Sequence, residues 1–133
     1  MSKLIIVITC LFLEYQLAVH ARTRDITEDE ARKLTIQSLD SKARKLPKLT
    51  LENYDKVKDS TFFQFAVTWD NPTGSVMVGF FAVNRVTGDV WKLVVCRRLK
   101  SEDLTHLQIM IRKQIELTAH EYHQFHDKAP CEP

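Results

Sequence analysis

The stretch that decides the fold is Phe62–Asp89, which reads FFQFAVTWDNPTGSVMVGFFAVNRVTGD. Phe62–Trp69 is rich in aromatic and β-branched residues, and Phe63, Phe65, Val67 and Trp69 fall on one face of a strand. Asp70-Asn71-Pro72-Thr73-Gly74 is turn chemistry at each position. Ser75–Asn84 then returns as the longest strand. Val76, Val78, Phe80 and Ala82 occupy one of its faces and Met77, Phe81 and Val83 the other. A strand apolar on both sides is central, or is covered on each face. Asn84–Asp89 forms a second turn, with Gly88 free to take positive φ, and Val90–Cys96 is predicted to return as the next strand.

Upstream, Thr27 and Glu30 form a T-x-x-E capping box, with Ile26 and Ala31 placed as its hydrophobic staple. Ala31, Ile36, Leu39, Ala43 and Leu46 share a broad helical face, and Pro47 stops the run. A helix is therefore expected over residues 28–45, with Lys42, Arg44 and Lys45 in its last turn. Leu49-Thr50-Leu51 alternates as a short strand, and Tyr54–Ser60 reads as a loop. Downstream, Ser101 is an N-cap for a helix whose Leu104, Leu107, Ile111 and Ile115 step at helical spacing, reaching about His126. The expected class is α+β: an N-terminal helix packed on a curved antiparallel sheet of three to four strands, followed by a C-terminal helix.

The 133 residues suit one domain. Nineteen Lys+Arg against 17 Asp+Glu leave a net charge of +2, too balanced to indicate nucleic acid as a partner, and three glycines exclude a Gly-rich nucleotide-binding loop. Lys3, the apolar run Leu4–Leu13 and the small-residue site Val19-His20-Ala21 have the order of a secretory signal peptide. That run is about half the roughly 20 residues a membrane span needs. Residues 1–21 are thus expected to be removed, leaving a secreted or periplasmic domain over residues 22–133 with no membrane span, as a monomer or homodimer. Without Cys10, two cysteines remain, and an even count in an exported chain suggests a Cys96–Cys131 disulfide holding down a Pro-flanked tail. Two free thiols are the alternative; a zinc site lacks the paired-cysteine spacing.

Ile26-Thr27-Glu28-Asp29-Glu30-Ala31-Arg32-Lys33-Leu34 resembles the opening helix of PepSY-type domains, and Val83-Asn84-Arg85-Val86-Thr87-Gly88-Asp89-Val90 resembles their closing hairpin, V-D-x-x-T-G-x-V. Asn84 stands where the pattern has Asp, and can still make the turn's side-chain bond. The final helix and the cysteine pair are additions. The resemblance covers about half of residues 22–133 and implies a PepSY-like or cystatin-like exported module that binds or inhibits. Small bacterial periplasmic immunity proteins, which block toxins acting on the cell envelope, are similar in size and leader.

Several constellations could carry chemistry. His120, His123 and His126 lie along one helical arc and could hold a metal, but the spacing is not H-E-x-x-H, and a solvated surface cluster is the plainer account. Cys96 and His106 could form a thiol pair, an idea that the disulfide competes with. Asp55 with Asp59, and Glu102 with Asp103, sit in loop and cap positions. No serine occupies a G-x-S-x-G elbow. The expectation is accordingly no catalytic residues and no cofactor. Trp69 and Trp91 serve either to close the core or as interface anchors. The candidate partner-binding residues are the turn residues Asp70, Asn71 and Thr73, and a basic edge of Arg85, Lys92 and Arg97 suited to an acidic cleft. The function expected is an inhibitor or immunity protein restraining an envelope or extracellular enzyme. A small metal-binding protein and a secreted enzyme of unrecognised mechanism are the alternatives.

Overall fold

The computed structural model describes residues 24–54 and 61–131. The expected signal peptide, Asp55 and Asp59 lie outside that range. The helices are α1 (Glu28–Ser38), α2 (Ser41–Arg44), α3 (Glu102–Gln114) and α4 (Ala119–Phe125), and the strands are β1 (Leu49–Asn53), β2 (Phe62–Asn71), β3 (Gly74–Asn84), β4 (Val90–Lys92) and β5 (Arg97–Arg98). The strands form one antiparallel sheet in the order β1-β2-β3-β4-β5. The α+β class holds, with five strands rather than three or four.

Both N-terminal signals operate. The Thr27 hydroxyl accepts from the Glu30 backbone N–H at 3.2 Å, and the Glu30 carboxylate accepts from the Thr27 N–H at 2.7 Å. Burial pushes the Glu30 carboxyl up, but its bonds to Arg24 and Thr27 outweigh that and hold it below the ordinary range. Ile26 and Ala31 are both buried.

The expected helix over 28–45 is broken. Leu39 adopts extended geometry and is buried, while Asp40 caps α2 through the Ala43 N–H at 2.8 Å. Turning Leu39 into the core and giving Asp40 a capping role wins over helix continuity. Lys42 and Arg44 therefore lie on α2, and the last turn of α1 carries no base.

The C-terminal helix is also two. Glu116 takes a left-handed φ of 54°, and the N–H groups of Glu116 and Leu117 bond back to Lys113 and Arg112 carbonyls at 3.2 and 3.0 Å. This is a Schellman ending with glutamate in the position glycine prefers. Thr118 and Glu121 then form a new capping box for α4. Val90–Cys96 departs from expectation as well: after Lys92 the chain enters a 3₁₀ turn, Leu93–Val95, and Cys96 reverses it at φ 43°.

The register carries a bulge. Val67 pairs with Gly79 but Thr68 pairs with Met77, leaving Val78 extra on β3. Val76 opposite Trp69 thus shares the face of Phe81 and Val83, not that of Phe80 and Ala82. On this face Phe65, Val67, Phe81, Val83 and Val90 pack with Leu34 of α1, with Leu104 and Ile111 of α3, and with Ile115 at its C-cap. Phe80 points the other way and packs against Tyr54, ring centroids 4.5 Å apart and planes tilted by 40°. That opposite face carries Asn84, Trp91 and Arg98, and α4 reaches it: Asn84 donates to the Phe125 carbonyl at 3.2 Å, and Arg98 to the His126 carbonyl at 3.1 Å. Asn84 also accepts from the N–H groups of Val86 and Thr87. Asparagine thereby makes the turn bond expected of aspartate and supplies a donor that aspartate lacks.

The Val86–Asp89 turn is buried between the helices. Gly88, at φ 72°, lies so close to Leu34 that a Cβ would approach its Cδ1 to 3.2 Å. Gln108 donates to the Gly88 carbonyl at 2.9 Å, and Arg112 donates to the Thr87 carbonyl at 2.7 Å and the Asp89 carboxylate at 3.0 Å. Arg112→Ala leaves the Asp89 carboxylate buried without its cation and should cost about 3–5 kcal/mol. Urea unfolding measures this; a loss below about 1 kcal/mol, the scale of an exposed pair, contradicts the clamp.

Candidate binding surface

The β2–β3 ribbon ends in a stiff tip. The Asn71 side chain accepts from the Thr73 N–H at 2.8 Å and from its hydroxyl, and Ser75 donates to the Asp70 carboxylate. Pro72 fixes one more backbone dihedral. Asp70, Asn71 and Thr73 are thus together, Asn71 bonded to Thr73 and Asp70 to Ser75, and residues 72–77 are exposed. Directly behind them, Val76 and Met77 are 47% and 48% exposed. These two apolar residues look like core in the alternation; the bulge and the end of the helical cover leave them at the surface.

Beside β3 packs the 3₁₀ turn, with Val94 73% and Val95 57% exposed. Lys92 and Arg97 face each other across the β4–β5 pair at its base. Arg85 is not with them. It follows the end of β3 four residues after Phe81, the residue that pairs with Lys92, and it turns to the β2 side, where its guanidinium sits 3.9 Å over the Phe63 ring. The proposed basic edge therefore resolves into Lys92 and Arg97, with Arg85 used inside the fold. Trp69 and Trp91 are half-buried.

Cys96 and Cys131 are joined by a disulfide, with Cα atoms 5.8 Å apart. Cys96 is thereby unavailable as a nucleophile, which removes the thiol pair with His106. Asp103 meets Arg44 at 3.4 Å, an exposed pair at the start of α3. In the histidine group, His126 stacks on Tyr122 with centroids 5.0 Å apart, and its ring nitrogens face the His123 carbonyl and Asp127. His120 is exposed. Among the described residues no group of three or more His, Cys, Asp or Glu has metal-holding geometry. A shallow groove of about 590 Å³ between α1, β1 and α3 has Ile36, Leu49, Leu51 and Leu107 among its lining. Arg32 crosses it to bond the Leu51 carbonyl at 2.7 Å and the Asn53 side chain at 2.8 Å. No described helix is long and apolar enough to cross a membrane.

No protein-family model matches the chain, and no curated protein does. The PepSY resemblance thus stands on its cap and turn residues alone. Among solved structures, the fold is similar to a chain in a type VI secretion system effector–immunity complex from Pseudomonas protegens. The TM-score is 0.58 at 19% identity, over 75% of this chain and 85% of that one. At that identity the likeness is one of fold.

The disulfide closes a loop across a sequence separation of 35, and on the chain-entropy model it stabilises by about 3–4 kcal/mol. Cys131→Ser should lose that amount in denaturant unfolding, with the change in slope that a less constrained unfolded chain brings. Equal stability of the oxidised parent and the variant contradicts this role for the bridge.

Proposed function

We propose that the protein is an exported, non-catalytic binding protein that restrains an enzyme of the cell envelope or the extracellular space, in the manner of an immunity protein. The observation that carries this reading is the end of the sheet away from the clamped turn. There a hydrogen-bonded tip presents Asn71 and Thr73, backed by Val76 and Met77, two apolar side chains left nearly half exposed. Exposed apolar residues beside a rigid polar tip fit docking into a cleft, because little order has to be imposed on binding. Tip residues in such a setting add contacts without perturbing the scaffold.

Three further features support it. The fold is similar to that of a chain in an effector–immunity complex. The disulfide is suited to an oxidising compartment. The leader-like residues 1–21 supply the means of export, with cleavage after Ala21. The partner is a protein, and neither nucleic acid nor a cofactor enters the account. The metal-binding alternative has no observation in its favour, since the His126 ring nitrogens already face partners of its own chain.

The test is affinity capture by the mature protein, residues 22–133, from the native extract, followed by assay of the captured enzyme. A stoichiometric complex with the enzyme inhibited is expected, and Val76→Asp should weaken it at least tenfold, about 1.4 kcal/mol. Turnover of a small substrate by the protein itself, or an N-terminus at Met1 in the cell fraction that holds it, overturns the reading.

A further inference from the structure

The 3₁₀ turn Leu93–Val95 is the most exposed apolar feature of the described chain, and the hairpin tip does not account for it. Val94 and Val95 are consecutive valines, 73% and 57% exposed. Their side chains have one rotatable bond each, so burying them orders little. The turn is also held in place. Lys92 pairs with Arg97 at its base, the Cys96 N–H closes it onto the Leu93 carbonyl at 3.2 Å, and the Cys96–Cys131 disulfide anchors the next residue.

The stretch of chain that carries it is basic as far as Ser101, before Glu102 and Asp103 open α3. From Asn71 to Ser101 the sequence has Arg85, Lys92, Arg97, Arg98 and Lys100 and a single carboxylate, Asp89. Asp89 is buried and paired with Arg112, so it does not offset the surface cations. Asp70, at the margin of this segment, is taken up by Ser75. Arg98 is turned to the His126 carbonyl, which leaves Lys92 and Arg97 flanking the valines. An apolar knob on a basic collar selects an apolar recess ringed by carboxylates. A second copy of this chain would bring the same cations together.

We infer that Val94 and Val95, with Lys92 and Arg97 beside them, are a docking knuckle for an acidic-rimmed apolar recess on a partner protein. This rests on the binding-protein reading and names the chemistry of the partner surface. An anionic membrane shares the charge, but membrane-seeking surfaces use larger apolar side chains and aromatic anchors, which two valines do not supply.

The test uses the oxidised mature protein, isotope-labelled for amide resonances, and two soluble synthetic peptides, one carrying leucines among glutamates and the other leucines among lysines. The glutamate peptide is expected to shift the amides of residues 93–97, and to bind at least about tenfold more tightly than the lysine peptide at low salt. Val94→Asp should lower its affinity about tenfold while thermal unfolding stays unchanged, because Val94 is outside the core. Equal binding of both peptides, shifts confined to other residues, or no binding overturns the knuckle. Tighter binding to anionic phospholipid vesicles than to the peptide assigns the surface to a membrane instead. A mass that doubles with concentration, lost in Val94→Asp, assigns it to a second copy. An enzyme captured in the experiment above but insensitive to Val94→Asp leaves the inhibitor reading in place and removes this one.

Discussion

A carboxylate sealed from solvent needs a cation and hydrogen-bond donors, and Asp89 finds both in one place. Thr87 donates at 2.7 Å from its own turn, and Arg112 reaches in from α3 at 3.0 Å. The same guanidinium holds the Thr87 carbonyl and lies 4.4 Å over the Tyr122 ring. One side chain therefore joins the β3–β4 turn, α3 and α4. On the other side of the turn Gly88 admits Leu34 of α1, and the Ile26 N–H bonds the Arg85 carbonyl at 2.9 Å. Removing the ion pair would loosen α1, α3 and α4 together, because all three meet at this turn.

From that clamp the structure becomes progressively less covered. Core side chains from α1, α3 and the sheet are dense between Phe81 and Val90, whereas β3 emerges from the helices toward Gly74. The tip is held by the β2–β3 pairing, its own side-chain bonds and one bond from the Asp70 N–H to the Lys48 carbonyl. The 3₁₀ turn would be similarly free, but Cys131 ties its end to a tail that is itself fastened through Asn84 and Arg98. Two exposed features are thus stiff for different reasons. One is braced by local hydrogen bonds, the other by a covalent link to a distant segment, and both lie where a partner can reach them.

Where local chemistry decides the backbone, the residues were readable. The Thr27–Glu30 box, the Asn71–Gly74 turn, the Gly88 turn and the Ser101 cap all appear as their side chains require. The misses occur where packing overrides a periodic pattern. Leu39 leaves its helix to enter the core, and the bulge at Val78 swaps the faces of β3. The α3–α4 break was hidden because Glu116 occupies a left-handed position that glycine usually marks, although T-x-x-E at Thr118–Glu121 announced a new helix start. The surface was less legible than the fold. Val94 and Val95 read as strand interior, and nothing in the alternation reveals that β4 stops at Lys92. Arg85 and Lys92 looked like neighbours on an edge, but Lys92 lies on the β4 side of β3 while Arg85 packs over Phe63 on the β2 side.

A clamped base presenting two stiff, uncovered features makes a definite statement about how stability is distributed along the chain. Native-state amide hydrogen exchange of the oxidised protein tests it most directly. The amides of Val86, Thr87 and Asp89, bonded to Asn84 and Thr87 side chains, should exchange only through global unfolding, together with those of Gln108 and Arg112. Those of Thr73, Val76 and Val94 should exchange through local opening, orders of magnitude faster. If the 86–89 amides exchange as fast as the tip, the turn is not the point from which the fold is held, and the account is wrong at its centre.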